Sequence, residues 1–395
     1  MRVFLFKISL SWRNLVFNKQ RFIAALAAIA FAVFLMFIQI GFRNAMLNSS
    51  VRFIQYLNAD LIMINKQRYV SFVEETFPKT RLYQAQSFAE VEAAYPFYIG
   101  IAMWKNQESL SERGIRVFGL DLNYSTFSIP HIQKYRQSLY FPDTLLADTK
   151  SRHEFGQMRV STTTELSGRK IEIIGLFELG TDFMADGNLI TSDQNFYRIF
   201  AGKFSWGEGN IRTSLHDVDL GLIKLKKGIN PEKIANKLND FLPKDVIVLA
   251  KSAFINRELK YWDKATPIGF VFTLGTIIGF IVGSIIVYDI IFNDIGDNLV
   301  QYAMLKAIGY SNSYFKNIVI LQSLILAILG FIPGLYLSII IYQIASVTTG
   351  LLLKMDIQLI IIVLLSTISM CILSGIVAVR KLQLIAPAEV YSQKN

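Results

Sequence analysis

Residues 267–288 read PIGFVFTLGTIIGFIVGSIIVY, a run of 22 residues without a charged side chain. A helix needs about 20 apolar residues to cross the hydrocarbon of a bilayer. A helix that is apolar on every face is buried in a large core or lies in lipid. Three more runs have this character. Residues 22–42 give 21 uncharged positions and residues 357–379 give 23. Residues 317–353 give 37, too long for one span of ordinary tilt. A hairpin broken at Pro333-Gly334 would leave too few residues for two spans. The reading is one long span over 314–345, kinked near Pro333, and neighbours can satisfy the carbonyl that a proline frees. The expected fold is therefore an α-helical membrane protein with four transmembrane helices (22–46, 266–292, 314–345, 357–379) and a large extracytoplasmic α+β domain.

Composition agrees. Of the 395 residues 52% are hydrophobic, and the mean hydropathy is +0.39. The net charge of +10 fits either nucleic acid or a membrane surface. The hydrophobicity decides for the lipid bilayer and against nucleic acid. The single cysteine, Cys371, allows no intrachain disulfide.

The first apolar run is longer than a signal-peptide core and lacks a small-x-small cleavage site, so it reads as a retained anchor. Orientation follows the basic residues. Arg2, Lys7, Arg13, Lys19 and Arg21 precede the first span with no acid among them, and Arg380-Lys381 follow the last. Both termini are expected in the cytoplasm, which requires an even number of spans. The loop between the second and third spans carries Asp294 and Asp297 against Lys306 and Lys316 and decides nothing by itself.

Residues 1–21 pattern as an amphipathic helix: Lys7, Ser11, Asn14, Asn18 and Arg21 share one face, and Phe4, Ile8, Trp12, Leu15 and Val16 another. Such a helix either lies in the inner-leaflet interface or extends the first span. Residues 47–265 form the external domain, long enough for its own core. Strand signals lie at 60–64, 114–119, 170–176, 219–225 and 246–249. Asn230-Pro231-Glu232 opens a helix ending near Phe241, with Pro243 beyond it. Segments 50–120 and 214–255 read as one unit, with 121–213 inserted as a lobe. A short loop, 346–356, separates the last two spans, and 380–395 is a tail.

Enzyme signatures are missing. There is no G-x-x-x-x-G-K-[ST] for a nucleotide and no G-x-S-x-G. His153-Glu154 is followed by Gln157, not His, and His131, His153 and His216 are widely spaced. Cys371 sits within a span, a poor setting for a thiolate. No catalytic residue, cofactor or metal ligand is expected. The cores of the four spans carry no charge, which argues against an ion channel or secondary transporter. Gly275, Gly279 and Gly283 form a small-residue stripe for helix packing, either between copies of the chain or within one.

The loop 293–313 holds a short helix signal. Asp297 is a plausible N-cap and Gly309 a stop. Between them Leu299, Tyr302, Leu305 and Ile308 share a face, suited to a groove on a partner or to packing on the membrane surface.

Here a resemblance enters. Tyr302-Ala303-Met304-Leu305-Lys306-Ala307-Ile308-Gly309 resembles the loop motif of MacB/FtsX-superfamily permeases, [EQ]-x-A-x-L-[KR]-A-[LIM]-G, with Gln301 where the family often has Glu. Ser11-Trp12-Arg13-Asn14-Leu15 is similar to its N-terminal A-W-R-N-L. Pro387-Ala388-Glu389-Val390 is similar to its C-terminal tail. Residues 31–50 and 58–62 look like DevC-type cyanobacterial permeases. The resemblance covers roughly half the chain. It implies a MacB-like domain and a non-catalytic permease subunit in the bacterial inner membrane. It also implies a homodimer with a separate ABC ATPase subunit that binds the ATP. Leu299 and Tyr302 to Gly309 would lie in the coupling helix. A membrane-fusion adaptor, a TolC-like outer-membrane channel and a lipid-like cargo such as glycolipid are further implications, with mechanotransmission as the mode of work. A regulator of cell-wall hydrolases of the FtsX type, a lipoprotein-releasing permease of the LolC/LolE type and a membrane-anchored enzyme or adhesin are the competing readings.

Overall fold

The computed structural model describes residues 12, 15–129, 132–201, 214–351 and 353–384, the last four by backbone alone. Most of the expected N-terminal helix, His131, and the C-terminal tail with Pro387 to Val390 lie outside the described residues.

The chain divides into two units. Met1–Asn44, Ile268–Ile344 and Leu353–Asn395 make a helical unit, and Ala45–Pro267 with Ala345–Leu352 make a sheet domain. Among the described residues four helices are long and apolar enough to cross a membrane. They are α1 (Lys19–Tyr56), α6 (Pro267–Asp297), α8 (Asn312–Thr349) and α9 (Ile357–Leu384). The stretch with Pro333 is one continuous helix. Helix α1 runs past residue 46, and its last turns belong to the sheet domain.

Within the helical unit the core joins Ile29, Val33 and Phe37 of α1 to Leu326 and Phe331 of α8 and to Val363 and Met370 of α9. Phe37 and Phe331 are in ring contact at 5.8 Å. The Tyr342 hydroxyl donates to the backbone carbonyl of Phe37, so a buried phenol finds a partner where water is absent.

The sheet domain is built on nine strands in the order β11-β1-β10-β3-β4-β8-β5-β7-β6. The strands are β1 (Leu61–Asn65), β3 (Val91–Lys105), β4 (Glu112–Leu120), β5 (Thr144–Asp148), β6 (Thr163–Leu166), β7 (Arg169–Phe177), β8 (Asn188–Ser192), β10 (Leu220–Leu225) and β11 (Val246–Ala250). A small ribbon pairs β2 (Phe77–Pro78) with β9 (Asp217–Val218). The pairs β4–β8 and β5–β7 are parallel, and the other neighbours are antiparallel. The strands of segment 121–213 continue the same sheet through the β4–β8 pair.

Alternation along β3 sends side chains to both faces. Tyr98, Ala102 and Trp104 join Leu82 of α2 (Thr80–Gln86), Phe196 of α3 (Asp193–Phe200) and Leu238 of α4 (Pro231–Phe241). Phe97 and Ile99 join Phe118, Phe127, Phe53 from the end of α1, and Phe254 of α5 (Lys251–Lys260). Helix α4 begins where its sequence says it should. Pro231 takes the first turn, and the Asn230 side chain accepts from the amides of Glu232 (2.9 Å) and Lys233 (3.3 Å). Helix α5 passes through a π turn, Tyr261–Ala265, into α6.

Candidate functional site

The loop between α6 and α8 carries a helix, α7 (Leu299–Ala307). Asp297 is the last residue of α6, and Asn298 breaks the helix with φ −95° and ψ 11°. The expected cap at Asp297 therefore moves one residue on, and no side chain caps α7 at Asn298. Asn298 instead turns its amide back to the carbonyl of Asp294 (3.0 Å). The C-terminus stops as expected. Gly309 has φ +106°, its amide reaches the carbonyl of Lys306 (3.1 Å), and the amide of Tyr310 reaches that of Leu305 (3.1 Å). This is a Schellman closure, and only glycine adopts that backbone without strain.

The expected apolar face of Leu299, Tyr302, Leu305 and Ile308 is divided. Tyr302 and Ala303 are buried, with the Tyr302 ring edge-on to Phe315 of α8 at 5.7 Å. Leu299 and Leu305 are half-buried against the same core. Only Ile308, at 76% exposure, stands out in solvent. It is joined by Met304 (46% exposed), by Ala307 and by Gln301. Positions 301, 304 and 308 lie on one stripe of a helix. The inward face thus locks α7 to the helical unit, and the Gln301-Met304-Ile308 stripe is what it presents outward. Lys306 is half-buried.

The base of α7 is tied to the bundle by polar groups. Arg21 of α1 pairs with Asp297. Gln322 of α8, fully buried, donates to Asp294 Oδ2 (3.3 Å), and its Oε1 has no partner among the described residues. A small cavity lies between these groups, lined also by Asn298 and Gln301. The uncharged run 267–288 stands, but α6 continues through Asp289, Asp294 and Asp297. Sequence reading assigned Asp294 to the loop and missed it as a helix-packing group.

Glycines 275, 279 and 283 face inward within the chain. A Cβ at Gly275 would collide with Gln39 of α1. Gly279 lies against Leu35 and Met36, and Gly283 against Ala32 and Met370. These contacts lie within one chain. The opposite side of α6 exposes Phe270, Val271, Leu274, Ile277, Ile278, Ile281 and Ile285.

The remaining chemical candidates stay apart. His153 is exposed beside Glu154, and Cys371 is buried in α9. Among the described residues no three His, Cys, Asp or Glu side chains gather around a point that could hold a metal ion.

No family model matches the chain, and no curated protein matches it. Among solved structures it is similar to the periplasmic region of MacB from Actinobacillus actinomycetemcomitans. That likeness has 9% identity and TM-score 0.33, over 50% of this chain and 91% of the other. It is also similar to the extracellular domain of the noncanonic ABC-type transporter YknZ from Gram-positive bacteria, with 10% identity and TM-score 0.32, over 48% of this chain and 98% of the other.

Proposed function

We propose that this chain is the permease subunit of an ATP-driven exporter, working with a separate ABC ATPase that binds the nucleotide. The observation that carries the reading is α7, a rigidly closed helix between two spans with a buried anchor at Tyr302 and an outward stripe at Met304 and Ile308. A short helix with an apolar stripe suits a groove on a partner. The buried face lets force pass between that partner and α6 and α8. The sequence around Tyr302 to Gly309, with its likeness to the coupling loop of MacB/FtsX permeases, supports the same assignment.

In this reading α7 is cytoplasmic, both termini are in the cytoplasm and the sheet domain lies outside the inner membrane. The chain works as a homodimer, for which the exposed apolar side of α6 is available. ATP-driven movement passes through the spans to the sheet domain, as mechanotransmission. A lipid-like cargo such as glycolipid then leaves through a membrane-fusion adaptor and a TolC-like channel. A DevC-type system is the narrower form of the proposal.

Co-purification tests it. The chain is tagged, expressed with the ATPase encoded beside it, and the isolated complex is assayed for ATP hydrolysis. Vanadate-sensitive hydrolysis in a stable complex is the expected result. Recovery of the tagged chain with no ATPase bound would overturn the proposal.

A further inference from the structure

The sheet domain contains a cavity of its own. It lies over the centre of the sheet and has a volume of about 340 Å³, within the range of small-molecule sites. Ile99 and Ile101 of β3 form its floor, and Phe53 at the end of α1 forms one side. Phe72, Val73 and Met184 complete its apolar lining.

Four charged residues line it, Arg68, Glu74, Glu75 and Arg116, and both arginines are held by protein groups. The Arg116 guanidinium pairs with Asp182 (2.6 Å) and holds Asn188 Oδ1 at 2.6 and 2.9 Å. It also lies over the rings of Phe53 (5.3 Å) and Phe118 (5.0 Å). Arg68 is fully buried and donates to the carbonyls of Ser71 (2.9 Å), Glu75 (3.2 Å) and Asp219. A ligand here meets the aliphatic and aromatic side chains of Phe53, Phe72, Val73, Ile99, Ile101 and Met184, two arginines held by protein groups, and Glu74 and Glu75 beside Phe72 and Val73.

The backbone excludes a peptide strand as occupant. β3 is paired to β10 and β4, and β4 to β3 and β8, so neither offers a free edge. Strand addition needs such an edge.

The aromatic residues around Phe72 point to the source of the ligand. Phe72 contacts Trp262 (5.5 Å) and Tyr261 (6.4 Å), Phe183 contacts Trp262 (6.0 Å), and Tyr69 contacts Tyr261 (5.3 Å). Tyr261 and Trp262 come immediately before Pro267, where α6 begins its apolar run. Tyr and Trp concentrate where chains meet the polar surface of a bilayer. Phe72, Phe183 and Tyr69 remain substantially exposed (37%, 54% and 47%), so the aromatic cluster offers an apolar surface outside the cavity.

We infer that this cavity binds the acyl chain of a bilayer amphiphile, which reaches it across the aromatic cluster. The inference supplies a cargo subsite for the exporter reading and rests on that reading for its role, though its geometry is independent of it.

Photo-crosslinking tests the assignment. The full chain is reconstituted in phosphatidylethanolamine–phosphatidylglycerol vesicles doped with a phospholipid bearing a diazirine at the end of a palmitoyl chain. After irradiation the adducts are mapped by mass spectrometry. The expected adducts fall on peptides carrying Phe72, Val73, Ile101 or Met184, beyond those on the four apolar helices. Met184→Asp, on a loop, should lower the sheet-domain yield roughly tenfold, the equivalent of one weakened apolar contact set, with labelling of the helices unchanged. Val73→Trp, which fills the space, should do the same. Labelling confined to the helices, or sheet-domain labelling that both variants leave intact, would overturn the inference. No ATPase is present in this assay, so loss of ATPase co-purification would sink the exporter reading separately.

Discussion

Glu258 of α5 accepts a hydrogen bond from the backbone amide of Ser71, and both residues are buried. This contact joins the helix that leads into α6 to the segment that lines the sheet-domain cavity. Arg257 adds a second tie, donating to the carbonyl of Arg68 at 3.0 Å. A displacement of α5 would therefore pull directly on residues 68–71.

That arrangement makes stability depend on pH. Burial pushes the Glu258 carboxyl up from 4.5 to about 7, against the opposing effects of the Ser71 hydrogen bonds and the Arg68 charge. The folded form then holds a proton that the unfolded form has released. Stability falls as pH rises from about 4.5 to about 7 and is flat above that. The difference amounts to about 3 kcal/mol at 1.36 kcal/mol for each pKa unit. Glu258→Gln keeps an acceptor for Ser71 and removes the titration. Thermal unfolding followed by tryptophan emission should show a lower midpoint at pH 8 than at pH 5 for the parent chain. The variant should lose most of that gap, and an equal gap in both would refute the assignment to Glu258.

On α7, exposure separates docking from packing. Ile308→Glu changes a solvent-exposed side chain and should alter stability by no more than about 0.5 kcal/mol. It should nonetheless abolish ATPase co-purification. Tyr302→Ala removes a buried ring and should cost about 3 kcal/mol, seen first as lower yield in detergent. Leu305→Glu mixes the two effects because Leu305 is half-buried. Full ATPase binding by Ile308→Glu would count against the outward stripe as the docking face.

Gly309 isolates the role of rigidity. At φ +106° with open space around it, an added methyl group meets no neighbour but strains the backbone. Gly309→Ala should cost about 1–2 kcal/mol locally. Amide exchange at Ile308 to Tyr310 should quicken roughly tenfold, with the spans as protected as before. Unchanged exchange there would mean that the Schellman closure does not hold the end of α7.

The sequence reveals the spans because lipid imposes a severe rule: about 20 residues without charge. Helix α4 is equally legible, since Asn230 and Pro231 act locally. Strand β3 is not. Pro96 lies inside it, and both its faces are buried, so the two-residue alternation that marks a strand is lost. Helix α7 is apolar on more than one side, and periodicity alone could not choose its inward face. The position of Phe315 chooses it, by its edge-on contact with Tyr302. The sheet-domain cavity draws on α1, β3, β4 and two loops far apart in sequence, and no local pattern announces it.

The glycine stripe of α6 makes a prediction about assembly. Because Gly283 meets Ala32 and Met370 of the same chain, Gly283→Leu overpacks the subunit interior. The expected cost is about 1–3 kcal/mol, visible as a lower melting temperature of the chain in detergent. Ile278→Ala, on the exposed side, should leave that temperature nearly unchanged. If the stripe were instead a contact between copies, Gly283→Leu would shift the chain toward monomer at unaltered melting temperature. Light scattering beside calorimetry distinguishes the two.

Arg116 and Asp182 form a buried ion pair beside the sheet-domain cavity. Both side chains are almost fully buried, at 10% and 3% exposure, and Asp182 also accepts from the amides of Met184 (2.8 Å) and Ala185 (2.9 Å). The carboxylate thus fixes the cavity wall at Met184 and Ala185 while it answers the charge of Arg116. Asp182→Ala strands a buried guanidinium and frees two amides. Removal of one partner from a buried pair costs about 3–5 kcal/mol. Arg116→Met leaves Asp182 bound to its two amides and replaces the cation with a flexible apolar chain. It should be destabilised less than Asp182→Ala, and the double variant should not be worse than Asp182→Ala alone. A double variant whose loss equals the sum of the two single losses would show that the pair is not coupled, and that Asp182 acts only through the amides of the wall.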